Sequence, residues 1–202
     1  MPKLTDEAIN SRKSHIIECA FQVFSEKGFS DTSMDDIVIK SGVSKGGIYN
    51  YFKSKEEIFL EIAESRLESR RSLMDSIPVN SGIHIFLRNY FTAVLLSLKD
   101  ERNLMTARFS FEFWATVSRN AELNEKAQSR YSKFHSDLIR ILKLGVKRGD
   151  LSSQLDLDNM GYVILATLDG MMHTHAIMGV EMTDESARHY VDMLMSKLEG
   201  RN

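Results

Sequence analysis

Little in this sequence would staple, interrupt or insert a chain. One cysteine among 202 residues, Cys19, leaves no intrachain disulfide to form and no multi-cysteine zinc site to build. The two prolines, Pro2 and Pro78, leave almost nothing to break a helix. No apolar run approaches the ~20 residues that span a bilayer. The polar start Met1-Pro2-Lys3-Leu4-Thr5-Asp6-Glu7 has no apolar run behind it, as a signal peptide would. A cytoplasmic protein without a membrane partner is therefore expected. An excess of one charge is missing too: 26 Lys and Arg stand against 28 Asp and Glu. That balance argues against a protein that grips nucleic acid through bulk positive charge. Distribution says more. From Ser41 to Lys55 there are three lysines, Lys45, Lys53 and Lys55, and no acid. Any contact with DNA belongs to that segment.

What is present is helical periodicity. Ile16, Ala20, Val23 and Phe24 form one stripe, widened by Ile17 and Phe21. Thr5 caps this first helix, with Asp6 and Glu7 in its first turn, and Gly28 ends it. A short second helix starts at Thr32 or Ser33, with Asp35 and Asp36 favouring its positive end, and stops near Lys40. Ser41-Gly42-Val43 is then a tight turn, and Ser44 caps a third helix running to about Phe52. Ser54-Lys55-Glu56-Glu57 reads as a capping box opening a fourth helix through about Ser76. Beyond the punctuation at Pro78 to Gly82, helices are expected at 83–99, 102–118, 121–148, 156–179 and 184–199. The fold expected is all-α with about nine helices: a three-helix head at 1–53 and a larger helical bundle at 54–202.

Residues 33–52 have the layout of a helix-turn-helix. Ile37, Val43, Ile48 and Phe52 are spaced to hold its two helices against Ala20 and Phe24. Ser44, Lys45, Gly46, Gly47, Tyr49 and Asn50 remain outward. Lys45 can reach a phosphate or base edge, Asn50 can pair with a base, and the Tyr49 hydroxyl suits a phosphate. Two glycines in so short a helix each cost up to about 1 kcal/mol relative to alanine, which makes sense if another molecule must approach the backbone closely. Gly42-Val43-Ser44-Lys45-Gly46 also satisfies G-x-S-x-G, but the nucleophile elbow needs a preceding strand and none is expected.

Over its first sixty or so residues the chain resembles the TetR family of regulators. The match runs through Ala20, Phe24, Gly28, Phe29, Thr32, Ser33, Ile37, Gly42-Val43-Ser44-Lys45-Gly46, Ile48-Tyr49, Tyr51-Phe52 and Lys55-Glu56, with Val38 standing where a small alanine is usual. The resemblance implies a homodimer whose two heads read a palindromic double-stranded DNA operator, usually as a repressor released by a small molecule. It further implies Ser33 and Ser44 at phosphates near helix N-termini, and Lys45 and Gly46 in the major groove. Tyr49 and Tyr51 would then lie on the DNA backbone and Lys55 at a phosphate. Asn50 falls where members vary and is the candidate for base choice.

The six histidines form no His-Glu-x-x-His pattern, and His173 and His175, two apart, lie on different helix faces. Neither metal nor cofactor is expected. Cys19 sits in an apolar stripe and reads as a small core residue. Nine of the eleven methionines lie between Met74 and Met195, with Phe86, Tyr90, Phe91, Phe109, Phe113 and Trp114 among them. Such side chains suit an adaptable cavity, and equally a dimer interface or an ordinary core. By analogy with the family the pocket candidates are Met105, Phe109, Phe113, Trp114, Met171 and His175, for an apolar or amphipathic effector.

For dimerisation, helix 156–179 offers the small residues Gly161, Ala166, Gly170, Ala176 and Gly179. Helix 184–199 carries the stripe Ala187, Tyr190, Val191, Leu194, Met195, Leu198. Together they would make half of a four-helix bundle across a two-fold axis, unless both stripes are buried in the monomer. The fourth helix is the expected lever between effector and head. The rival readings are an all-helical enzyme, which the missing ligand motifs disfavour, and a helical adaptor that binds no DNA.

Overall fold

The computed structural model describes residues 5–75, 82–117 and 119–201, apart from the side chains of residues 66–75. They form nine α-helices and no strand: α1 Asp6–Lys27, α2 Met34–Ser41, α3 Lys45–Tyr49, α4 Lys55–Asp75, α5 Ile83–Leu96, α6 Glu101–Val117, α7 Ala121–Arg148, α8 Leu157–Ala176 and α9 Asp184–Glu199. A 3₁₀ turn, Ser97–Lys99, follows α5 directly. Most of the Pro78–Gly82 punctuation lies outside the described residues.

Local chemistry sets the helix ends. Side-chain oxygens of Thr5, Asn120, Asp156 and Thr183 accept backbone N–H groups three residues on, satisfying donors that a helix start leaves bare. Gly42 (φ 64°) and Gly149 (φ 76°) close α2 and α7 in the left-handed region that a Cβ disfavours. Helices α3, α5 and α8 each end about three residues earlier than expected, and the box expected at α4 is not reciprocal. After Tyr49 the α3 ladder tightens, since Tyr51 and Phe52 both donate to the Ile48 carbonyl. At α4, Ser54 accepts from Glu57 N–H (3.4 Å), but the Glu57 carboxylate takes Lys53 N–H (2.6 Å), one residue ahead of the cap. The reciprocal box stands instead at Ser33 and Asp36. Helix α8 ends at Ala176, three residues before Gly179.

The chain divides into two compact units, Met1–Ser69 with Phe109–Thr116, and Arg70–Arg108 with Val117–Asn202. In the first, α1 packs along α2, and Ile16, Ala20, Phe24, Ile37, Ile48 and Phe52 are buried. Beside them lies an aromatic cluster. Phe59 of α4 stacks on Phe113 of α6 at 3.8 Å between ring centroids. Phe29 meets both edge-on, and Phe109 meets Phe21, Phe24 and Phe59.

In the second unit α5 packs on α9 and α7, and α7 on α8. Leu87, Phe91, Leu142, Ile164, Val191 and Met195 belong to one buried core. The α9 stripe is therefore internal: Ala187, Val191, Leu194, Met195 and Leu198 are all buried in the monomer, with Tyr190 packed against them. The small residues of α8 divide as well. A Cβ on Gly161 would come within 2.7 Å of Ile139 and 2.8 Å of His135, so that glycine admits α7; Ala176 is buried, whereas Ala166 and Gly170 face outward.

Phe59 is 1 % exposed at the centre of the aromatic cluster. Phe59→Ala is expected to lower the unfolding free energy of its unit by about 3–5 kcal/mol, measured by urea denaturation. A loss below about 1 kcal/mol would mean the cluster tolerates the void, against the usual cost of an unfilled cavity.

Candidate nucleic-acid interface

The segment from Ser33 to Asn50 is held from beneath and left open above. Ser33 Oγ accepts Asp36 N–H (3.2 Å) and donates to Asp36 Oδ2 (2.7 Å), while Ser33 N–H reaches the same carboxylate (2.9 Å). The Lys27 ammonium, with these Ser33 hydrogen bonds, holds the Asp36 carboxyl far below the usual carboxylate range. Gly42 turns the chain, Ser44 Oγ accepts Gly47 N–H (3.2 Å), and Ile48 and Phe52 fasten α3 to the core. Ser44, Lys45, Gly46 and Asn50 are exposed, and Gly47, Tyr49 and Tyr51 half-buried. Ser44 is a capping residue preceded by helix and turn, so no nucleophile elbow exists here.

The three lysines of this segment are in different situations. Lys45 Nζ pairs with Asp35 Oδ1 (2.8 Å), which raises its pKa. Lys53 Nζ donates to the Tyr49 carbonyl (2.9 Å). Lys55 Nζ donates to the carbonyls of Phe29 (2.7 Å), Ser30 (2.9 Å) and Thr32 (2.7 Å), and lies 4.6 Å from the Phe29 ring centroid. An ammonium has three hydrogens, and Lys55 gives all three to this turn. A phosphate could claim Lys55 only by displacing a carbonyl. Glu112 of α6 holds the same turn, accepting Ser30 N–H (3.0 Å) and lying 2.8 Å from where a Gly28 Cβ would stand. Neither the Asp35–Lys45 pair nor the Glu112–Ser30 contact is legible in the sequence. The partners lie ten and eighty-two residues apart, and no periodicity marks such pairs.

The two glycines of α3 also separate. A Cβ on Gly47 would meet Val43 Cγ1 at 2.9 Å and Ser44 Oγ at 3.0 Å, whereas one on Gly46 would meet nothing within 4 Å. Gly47 is thus required by the turn itself. Gly46 is not, and its bare backbone faces outward.

The six pocket candidates divide between the two compact units. Phe109 and Phe113, 1 % and 0 % exposed, belong to the head's aromatic cluster, and Trp114 lies edge-on to Phe59 and Phe113. Met105, Met171 and His175 are half-buried in the second unit. There His175 Nδ1 accepts Met182 N–H (3.0 Å), closing the turn between α8 and α9. An open groove of about 400 Å³ between α7 and α8, lined by His135, Ser136, Ile139, Arg140, Lys143 and Asp158, contains none of the six. Among the described residues no group of His, Cys, Asp or Glu is arranged to hold a metal ion, and no helix is long and apolar enough to cross a membrane.

Gly46→Ala is expected to keep or raise thermal stability, by up to about 1 kcal/mol from helix propensity. Gly47→Ala is expected to lower it, because its methyl group presses on β-branched Val43 and on the Ser44 cap. Melting curves of both variants check this, and the reverse order would contradict the division of roles.

Residues 16–62 match the bacterial regulatory proteins of the tetR family, and residues 87–198 match the C-terminal domain of BetI-type transcriptional repressors. The chain is 30 % identical to YfiR of Bacillus subtilis, an uncharacterized HTH-type transcriptional regulator, over 96 % of this chain and 97 % of that one. It is 25 % identical to the HTH-type transcriptional regulator TtgR of Pseudomonas putida, covering 85 % and 83 %. Among solved structures, Salmonella enterica GusR superposes with a TM-score of 0.78 at 23 % identity, covering 98 % and 99 %. Bacillus subtilis FadR in complex with stearoyl-CoA gives 0.73 at 22 %, covering 92 % and 98 %. With relatives that are transcriptional regulators and not enzymes, and a helix-turn-helix where their family has one, the chain belongs to the TetR family of transcriptional regulators.

Proposed function

We propose that the chain is a homodimeric repressor that binds a palindromic operator through two heads and is released by a small apolar or amphipathic molecule held by its larger domain. The observation that carries this reading is the outer face of α3, where Lys45, Gly46, Tyr49 and Asn50 stand over a buried base of Ile48 and Phe52. Here Lys45 and Asn50 address base edges, and Gly46 lets the backbone approach. Gly47 keeps the turn tight beneath it. Ser33, Ser44, Tyr49 and Tyr51 lie along the phosphates. Lys55 serves by anchoring the turn before α2 rather than as a free phosphate ligand. In this reading residues 1–53 are the DNA-binding head and 54–202 the dimerising and sensing domain, which lends the head the start of α4 and residues 109–116 to complete its core.

The match to BetI-type repressors supports repression, and the acyl-CoA complex of FadR supports an amphipathic effector. Met105, Met171 and His175 remain candidate contacts for it. For the dimer, α8 presents Tyr162 (61 % exposed), Val163 (48 %), Ala166 and Gly170 to solvent, large and small apolar groups at helical spacing. Since the α9 stripe is buried, Met193 (65 % exposed) is that helix's apolar contribution. A dimer reads two half-sites when its recognition helices stand roughly 34–36 Å apart or at multiples of a DNA turn. Helices α4 and α6 each have residues in both compact units, so an effector that prefers one arrangement of these helices would shift that spacing. The shift can be no larger than the effector's differential affinity for the two states.

Selecting duplexes from a random DNA pool should enrich a palindrome, and Lys45→Ala and Tyr49→Ala should each weaken binding to it, Lys45→Ala by about tenfold, the scale of one lost readout contact. Unchanged affinity in both variants would sink the recognition assignment. Screening compounds for release of the enriched duplex would then identify the effector. Separately, the double variant Tyr162→Asp, Ala166→Arg is expected to sediment as a monomer; an unaltered dimer would place the interface elsewhere.

A further inference from the structure

The lysine ammoniums of the proposed DNA face are more engaged than the sequence suggests. Of its three lysines, Lys55 has given all its hydrogens to carbonyls, and Lys53 gives one to Tyr49. Lys45 opens α3 itself, and beside it is Asp35, in the first turn of α2, at 2.8 Å. Asp35 has no part in the capping box of α2. Ser33 and Asp36 complete that box between them, and Asp36 also holds Lys27. Nor does the pair stabilise the fold appreciably, since the two side chains are 62 % and 66 % exposed and water screens them. A place in the first turn of α2 favours an acid at Asp35, but it does not account for the pairing with an exposed lysine on a surface that must meet phosphates.

Two kinds of acceptor compete for Lys45 on DNA. Non-specific binding is driven by phosphates, whose attraction is for net charge. Base edges such as guanine O6 and N7 are neutral acceptors that need a donor in the right place. A lysine paired with a carboxylate brings almost no net charge, yet keeps two of its three hydrogens and a fixed position.

We propose that Asp35 is a specificity-determining residue, which withholds Lys45 from phosphates while positioning its ammonium toward a base edge. The pair persists on the operator, where the acceptor is neutral, and suppresses binding elsewhere, where only phosphate is offered. This inference rests on the DNA-binding reading above.

The test measures affinity against salt for two duplexes, the one enriched from a random pool and one of scrambled sequence. Asp35→Asn is expected to raise affinity for the scrambled duplex about eightfold at 0.1 M salt, and to steepen its log–log salt slope by about 0.9, the signature of one added phosphate contact. Affinity for the enriched duplex should rise less, so the ratio between the two falls. In a Lys45→Gln background, Asp35→Asn should change neither quantity. Equal gains on both duplexes, no gain on either, or a gain that survives Lys45→Gln would each overturn the proposal. Asp35→Ser, which leaves the Ser33–Asp36 box intact, gives the same readout if the Asn variant folds poorly. A wild-type protein that enriches no duplex would sink the DNA-binding reading and this inference together. An enriched duplex with an indifferent Asp35→Asn variant would sink this inference alone.

Discussion

The head depends on a set of phenylalanine rings contributed by distant parts of the chain. Phe24 comes from α1, Phe29 from the turn after it, Phe59 from α4, and Phe109 and Phe113 from α6. A three-helix head of some fifty residues buries little apolar surface by itself, and small domains are marginal for that reason. Borrowing eight residues of α6 enlarges this core and fixes Phe29 between Phe24, Phe59 and Phe113. With Phe29 fixed, the turn leading into α2 can be tied from two sides, by the ammonium of Lys55 and the carboxylate of Glu112. The direction of α2, and so of α3, follows from that turn.

This construction bears on how the surface of α3 operates. Charges that look free in the sequence are engaged in holding the scaffold, as Lys55 is, or are matched by an acid, as Lys45 is. In the proposed reading, recognition is left to a few donors on a rigid base and to backbone exposed at Gly46. A protein of net charge −2 that reads DNA this way relies on geometry more than on attraction.

Much of the architecture was legible because it is local. Helix α7 spans the expected residues 121–148, and Ser44 and Gly42 bracket the turn of the helix-turn-helix as expected. Caps, positive-φ glycines and a 3.6-residue period act within a few residues, so their signal survives in a linear string. The face of α3 was equally legible, since Ile48 and Phe52 must point inward and their neighbours then point out. Partner assignment was less so. Phe109, Phe113 and Trp114 read as pocket lining, yet they complete the head. The α9 stripe read as a dimer surface, yet it packs on α5 within the monomer. An apolar period says that a face is buried, not what buries it.

The sequence alone determined the helical class, the positions of the helices, the helix-turn-helix and its outward residues, because each follows from short-range rules of capping, turning and burial. Tertiary structure alone decided that residues 109–116 of α6 complete the core of the head, that Lys55 is an anchor, that Gly47 serves the turn while Gly46 stays open, and that Asp35 stands against Lys45. These depend on which of many equivalent apolar and charged groups meet after folding. That choice is made by packing the whole chain at once, and no local pattern records it.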